Sequence, residues 1–237
     1  MISKNIIPNA ITSGNLVSGI LGVICAVYGT LDSAFLFMLL GAVFDFFDGL
    51  AARALRVTNP IGKELDSLAD LVTFGVLPSL MVMYCMQEHG VAVWLCYAAI
   101  FIAVMSAVRL AKFNTDTRQT TDFLGLPTPA NALLCASLTT FIAQRPESFL
   151  ASWAGEPWFL PVVSLILGLL LVSEIPMFGM KVAPGHKLLD AKRIAFLALA
   201  AGAIVLALVI GHSWHLAILL VFGLYLIENL ILLPFKK

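Results

Sequence analysis

The chain has 237 residues, 60% of them hydrophobic and only 12% charged, with a mean hydropathy of +0.98. Soluble domains carry about 25% charged residues, so this composition excludes a water-covered globular protein and indicates an integral membrane protein. Formal net charge is zero, which offers nothing to a nucleic acid, and no such partner is expected.

Apolar runs of spanning length predict eight transmembrane helices, near 10–30, 32–52, 66–86, 91–112, 127–144, 159–178, 194–211 and 215–234. The expected fold is therefore an all-α membrane bundle forming one domain over 1–237, with the last two helices (194–234) peripheral. The first run opens "IPNAITSGNLVSGILG". It carries polar residues and runs on like a mature helix, so no cleavable leader is apparent. Asn9 and Thr12 either cap this helix or reach a ligand.

The second run ends in "DFFDGLAAR" and the third begins in "ELDSLAD". One acidic side chain at the centre of a membrane helix costs about 2.5–3.5 kcal/mol on insertion scales, so four in one hairpin demand compensation. Asp45 and Asp48 are three residues apart and Asp66 and Asp70 four apart, so each pair shares a helix face. Pro60 and Gly62 between them fit a tight turn, which sets the two pairs opposite each other at one depth. Converging carboxylates repel unless a cation sits among them. All-oxygen ligation suits Mg²⁺, Mn²⁺ or Ca²⁺, and a pair of such ions clamps phosphoryl oxygens. Gly49 and Ala52 clear the same face for a ligand, and Arg53 can donate two parallel hydrogen bonds to phosphate.

Further on, "RLAKFN" ends the fourth run with Arg109 and Asn114, while "FLGLPTPAN" leads into the fifth. Trp153, Trp158 and Trp214 fall at span ends as interfacial aromatics. Cys25, Cys85, Cys96 and Cys135 lie in apolar stretches without a CxxC and read as small buried hydrophobes. His186, His212 and His215 are not read as ligands. Thirteen of the 14 Lys and Arg residues fall on one side of this topology and only Arg145 on the other. The positive-inside rule then puts both termini and all four aspartates at the cytoplasmic face of the cell membrane.

The spacing D-x2-D-G-x2-A-R-x8-G-x3-D-x3-D resembles the signature of the CDP-alcohol phosphotransferases. Every specified position is present: Asp45, Asp48, Gly49, Ala52, Arg53, Gly62, Asp66 and Asp70. The resemblance implies a dinuclear metal site on the four aspartates, Asp70 as base for the incoming alcohol, and Gly49, Arg53 and Asp66 contacting the CDP moiety. Ala52, Gly62, Asn9 and Thr12 are placed in the same CDP-diacylglycerol-binding group. "IPNAITSGNLVSGILG", "GKELDSLADLVTFGVLPS" and "VRLAKFNTDTRQTTDFLGLPTPA" are similar to the phosphatidylserine synthase type within that family. That implies L-serine as acceptor, Arg109, Asn114 and Lys63 as candidates to bind it, and a homodimer in membrane lipids. Glycerol 3-phosphate or an inositol phosphate as acceptor, and divalent-cation transport, stand as the alternatives.

Overall fold

The computed structural model describes residues 6–57, 60–115, 123–177, 197, 199–202, 204–205 and 214–231. Four helices among them are long and apolar enough to cross a membrane: α1 (Ile6–Val27), α2 (Leu31–Leu55), α3 (Pro60–Glu88) and α4 (Val93–Thr115). Behind them come α5 (Thr128–Gln144), the short α6 (Phe149–Ala154), α7 (Phe159–Val172) and α8 (Trp214–Ile231). The expected all-helical membrane architecture is present. The expected seventh span, 194–211, lies mostly outside the described residues, though 197, 199–202 and 204–205 are helical.

Two boundaries differ from expectation for identifiable reasons. Helix α3 starts at Pro60, six residues before the expected start, so Pro60 and Gly62 are helical and do not form the turn. Proline suits a first helical turn because its φ is preset and its missing N–H would be unpaired there anyway. Helix α2 ends at Arg56, which takes a left-handed conformation (φ 51°). Its N–H bonds to Arg53 O at 3.2 Å, and Val57 N–H bonds to Ala52 O at 3.1 Å, closing the last turn. Helix α7 stops at Val172 rather than 178. Pro176–Met177 instead pairs antiparallel with Phe123–Leu124. Gly125 (φ +76°) makes this possible, because a Cβ there would lie 2.6 Å from Leu171 O.

The interior is built in two clusters. Ala34, Phe35, Met38, Phe74, Leu77 and Met81 knit α2 to α3, with α1 alongside. Val82, Met86, Ile102, Cys135, Ile142 and Leu160 join α3, α4, α5 and α7. The outward faces of α1 and α2 expose Val17, Leu21, Leu36, Leu40 and Val43, as a surface solvated by lipid requires. Trp153 and Trp158 are about half exposed, at 49% and 55%, and sit in an aromatic cluster with Phe149 and Phe159. Asp32 at the start of α2 accepts from Gln144 Nε2 (2.7 Å) and lies 3.0 Å from His215 Nε2. That contact ties α8 and α5 to the end of α2 remote from the other aspartates.

Candidate active site

Successive turns at the end of α2 present Asp45, Asp48, Gly49 and Ala52, and the opening of α3 presents Gly62, Asp66 and Asp70. Helix α1 runs beside both. One oxygen from each of Asp45, Asp48 and Asp66 lies within 4.8 Å of the others. Asp70 follows Asp66 by one turn on the same helix, so its carboxylate shares that face. Of the two expected pairs, Asp45 and Asp48 thus converge with Asp66, and Asp70 lies outside that group of three.

Each carboxylate is held differently. Asp48 is 6% exposed and accepts a 2.6 Å hydrogen bond from Thr12 Oγ1. Asp70 Oδ1 accepts from Asn15 Nδ2 at 3.0 Å. Asp66 Oδ1 is buried with no hydrogen-bond partner. Among the described residues no lysine or arginine pairs with any of the four. An unpartnered buried carboxylate oxygen is costly. An all-oxygen acidic donor set without a cationic side chain is what a hard divalent cation satisfies. The residues present fit such a group.

Asp48 and Asp66 border a cavity of about 470 Å³ between α1, α2 and the start of α3. Asn9 and Thr12 line it from α1, Asp48, Gly49 and Ala52 from α2, and Gly62, Lys63 and Asp66 from α3. Both α1 residues sit inside the helix that begins at Ile6, so the capping alternative is overturned for each. A Cβ added at Gly49 would meet nothing within 4 Å, so that position faces open space.

The cationic candidates are dispersed. Arg53 is exposed, outside the cavity wall, and its Nε donates to Gly49 O at 2.9 Å. Arg109 is only 7% exposed; its Nη1 donates to Thr128 Oγ1 at 3.1 Å, while its Nε has no partner. Lys63 Nζ donates to Asn114 O at 2.9 Å, and Asn114 Nδ2 donates to Ser67 Oγ at 2.8 Å, so these two pin α3 to α4. Asn15, which contacts Asp70, lies outside the signature spacing. The available signal was a lone amide in the apolar run "GNLVSGILG", since a buried polar side chain in a membrane helix marks function by default.

The sequence model of the CDP-alcohol phosphatidyltransferase family matches residues 5–228. This chain belongs to that family. It is a phosphatidyl-transferring membrane enzyme of phospholipid biosynthesis. Among its relatives, the CDP-diacylglycerol–serine O-phosphatidyltransferase of Bacillus subtilis is 39% identical over 141 residues, covering 58% of this chain and 76% of the relative. The protein of that name from Mycobacterium leprae is 31% identical over 213 residues, or 87% of this chain and 69% of the relative. Its namesake in Methanocaldococcus jannaschii is 30% identical over 169 residues, covering 71% and 72%. In this CDP-alcohol phosphatidyltransferase, six of the eight signature positions line the cavity or belong to the cluster of Asp45, Asp48 and Asp66, while Asp70 and Arg53 do neither.

Proposed function

We propose that the chain transfers the phosphatidyl group of CDP-diacylglycerol to L-serine, giving phosphatidylserine and CMP. The observation that carries this reading is the gathering of Asp45, Asp48 and Asp66 beside the open face of Gly49. Serine as acceptor is supported by the names of the relatives.

The serine hydroxyl oxygen bonds to the lipid-linked phosphorus. The phosphoanhydride bond to the CMP phosphate breaks, CMP departs with the electron pair, and Asp70 takes the hydroxyl proton. Asp45, Asp48, Asp66 and Asp70 would hold two divalent cations, Mg²⁺ or Mn²⁺ with Ca²⁺ as an alternative occupant, which when bound neutralise charge on the diphosphate. Gly49, Ala52 and Gly62 leave room for the CDP moiety. Asn9 and Thr12 offer amide and hydroxyl groups to cytidine or ribose, and Arg53 reaches phosphate by leaving the Gly49 carbonyl. Arg109, buried with a free Nε–H, supplies a cation for the serine carboxylate, with Lys63 and Asn114 at the pocket's edge.

We further infer eight spans in one domain over 1–237, both termini cytoplasmic, the site at the cytoplasmic face of the cell membrane, and a homodimer. The cationic asymmetry supports the orientation; the dimer rests on family resemblance. The test offers purified protein CDP-diacylglycerol, Mn²⁺ and equal serine, glycerol 3-phosphate and inositol phosphate. Phosphatidylserine as the main lipid product is expected; another headgroup overturns the serine assignment.

A further inference from the structure

Asp70 contacts a relay of two fully buried polar side chains that do not line the cavity, Asn15 on α1 and Thr73 on α3. Asn15 Nδ2 donates to Asp70 Oδ1 (3.0 Å), and Thr73 Oγ1 lies 2.8 Å from Asn15 Oδ1 and 3.2 Å from Asn15 O. Both neighbours of the Thr73 hydroxyl are acceptors only, so its single hydrogen is donated to one of them. The amide oxygen of Asn15 faces Thr73 and its NH₂ faces the carboxylate. A flipped amide would set oxygen against the Asp70 carboxylate.

The backbone is adapted to this contact. Leu71–Val76, beginning directly after Asp70, is a π-helical turn inside α3. Such turns are rare and occur frequently at functional sites. Thr73 sits within it and is wedged between two helices that carry glycine opposite it. A Cβ at Gly19 of α1 would collide with Thr73 Oγ1, and one at Gly41 of α2 would lie 2.6 Å from Thr73 Cγ2.

We propose that Asn15, held by Thr73, is a positioning residue that fixes one oxygen of Asp70 so that the other is presented to the acceptor hydroxyl. The inference rests on the reading of Asp70 as the proton acceptor. Asn15 itself touches no substrate. Removing it leaves the cavity and its lining unchanged but lets the Asp70 carboxylate rotate, and a misplacement of about 1 Å at a reacting group can cost about 100-fold in rate.

The test compares Asn15→Ala, Thr73→Val, Thr73→Ser and the Asn15→Ala/Thr73→Val double variant. CMP release is followed with whichever of serine, glycerol 3-phosphate or inositol phosphate the wild type uses. Thermal midpoints are read with and without CDP-diacylglycerol and Mn²⁺. Asn15→Ala and Thr73→Val are expected to lower kcat by about 10- to 100-fold, with KM for both substrates within about twofold and the ligand-induced thermal shift retained. Thr73→Ser, which keeps the hydroxyl, should restore most of kcat. The double variant should be no worse than Asn15→Ala, because both changes act through one contact. Wild-type kcat in folded Asn15→Ala, or losses that multiply in the double variant, would overturn the inference while leaving the assigned reaction intact. Full turnover in Asp70→Asn would instead overturn the reading of Asp70, and this inference with it.

Discussion

Thr12 Oγ1 and Asp48 Oδ2 lie 2.6 Å apart, joining α1 to α2 at the wall of the cavity. Thr12 Oγ1 is also 3.0 Å from Pro8 O within its own helix. The short contact to Asp48 belongs to a hydroxyl facing a carboxylate that has lost almost all of its water. Hydrogen bonds to charged groups contribute about 1.5–3 kcal/mol. Thr12→Val keeps the branched shape and removes the hydroxyl, so kcat/KM should fall by roughly 10- to 100-fold, whereas Thr12→Ser should stay within a fewfold of wild type. Steady-state CMP release for the two variants decides it.

Gly49 separates folding from binding. Since a Cβ there meets nothing within 4 Å, Gly49→Val should fold with an unchanged or slightly higher thermal midpoint, valine costing less helix propensity than glycine. Its branches would project into the space beside Asp48, raising KM for CDP-diacylglycerol at least tenfold. A KM equal to wild type would show that the ligand does not approach over this face.

The carboxylate cluster makes an unusual prediction about stability. Without a bound cation, Asp45, Asp48 and Asp66 repel one another, and Asp66 Oδ1 has no donor. Asp66→Asn should therefore raise the thermal midpoint of chelator-treated protein by a few degrees while abolishing both the Mn²⁺-induced stabilisation and activity. Wild type should lose activity in excess EDTA and regain it with Mg²⁺ or Mn²⁺. Equal thermal midpoints of wild type with and without saturating Mn²⁺ would contradict a cation at this cluster.

At the other end of the bundle, His215 is 2% exposed and stacks on Trp214 with ring centroids 3.7 Å apart, while Trp214 stacks on Phe35 at 5.0 Å. His215→Ala removes this packing and the approach to Asp32, which is itself more than half exposed and so weakly paired. The loss should be about 1–3 kcal/mol, mostly from the stacked ring. It should lower the thermal midpoint by several degrees, with kcat at 25 °C unchanged because the cavity is remote.

The catalytic half of this architecture was legible because helical spacing is local. Residues three or four apart share a face wherever the helix is placed, so the pairs Asp45/Asp48 and Asp66/Asp70 could be set opposite each other from the sequence. The turn between them was not legible. Pro60 and Gly62 have turn chemistry, yet proline equally suits a first helical turn, and α2 is ended by Arg56 in a conformation that its side chain does not advertise. Long-range partners were also hidden. Nothing local to Asn15 names Asp70 55 residues away, and nothing in "LVTFGV" announces a π turn. The cationic candidates divide in space, with Arg53 on the exposed side, Lys63 with Asn114 at the α3–α4 seam, and Arg109 buried against Thr128.

The most direct test of the central claim is serine-dependent CMP release from CDP-diacylglycerol, measured for wild type and Asp70→Asn in matched lipid nanodiscs with Mn²⁺. The account predicts one CMP per phosphatidylserine formed by wild type and a loss of at least 1,000-fold in Asp70→Asn, on the scale of removing a general base together with a cation ligand. CMP release that ignores serine, or an Asp70→Asn variant that keeps wild-type turnover, would contradict it.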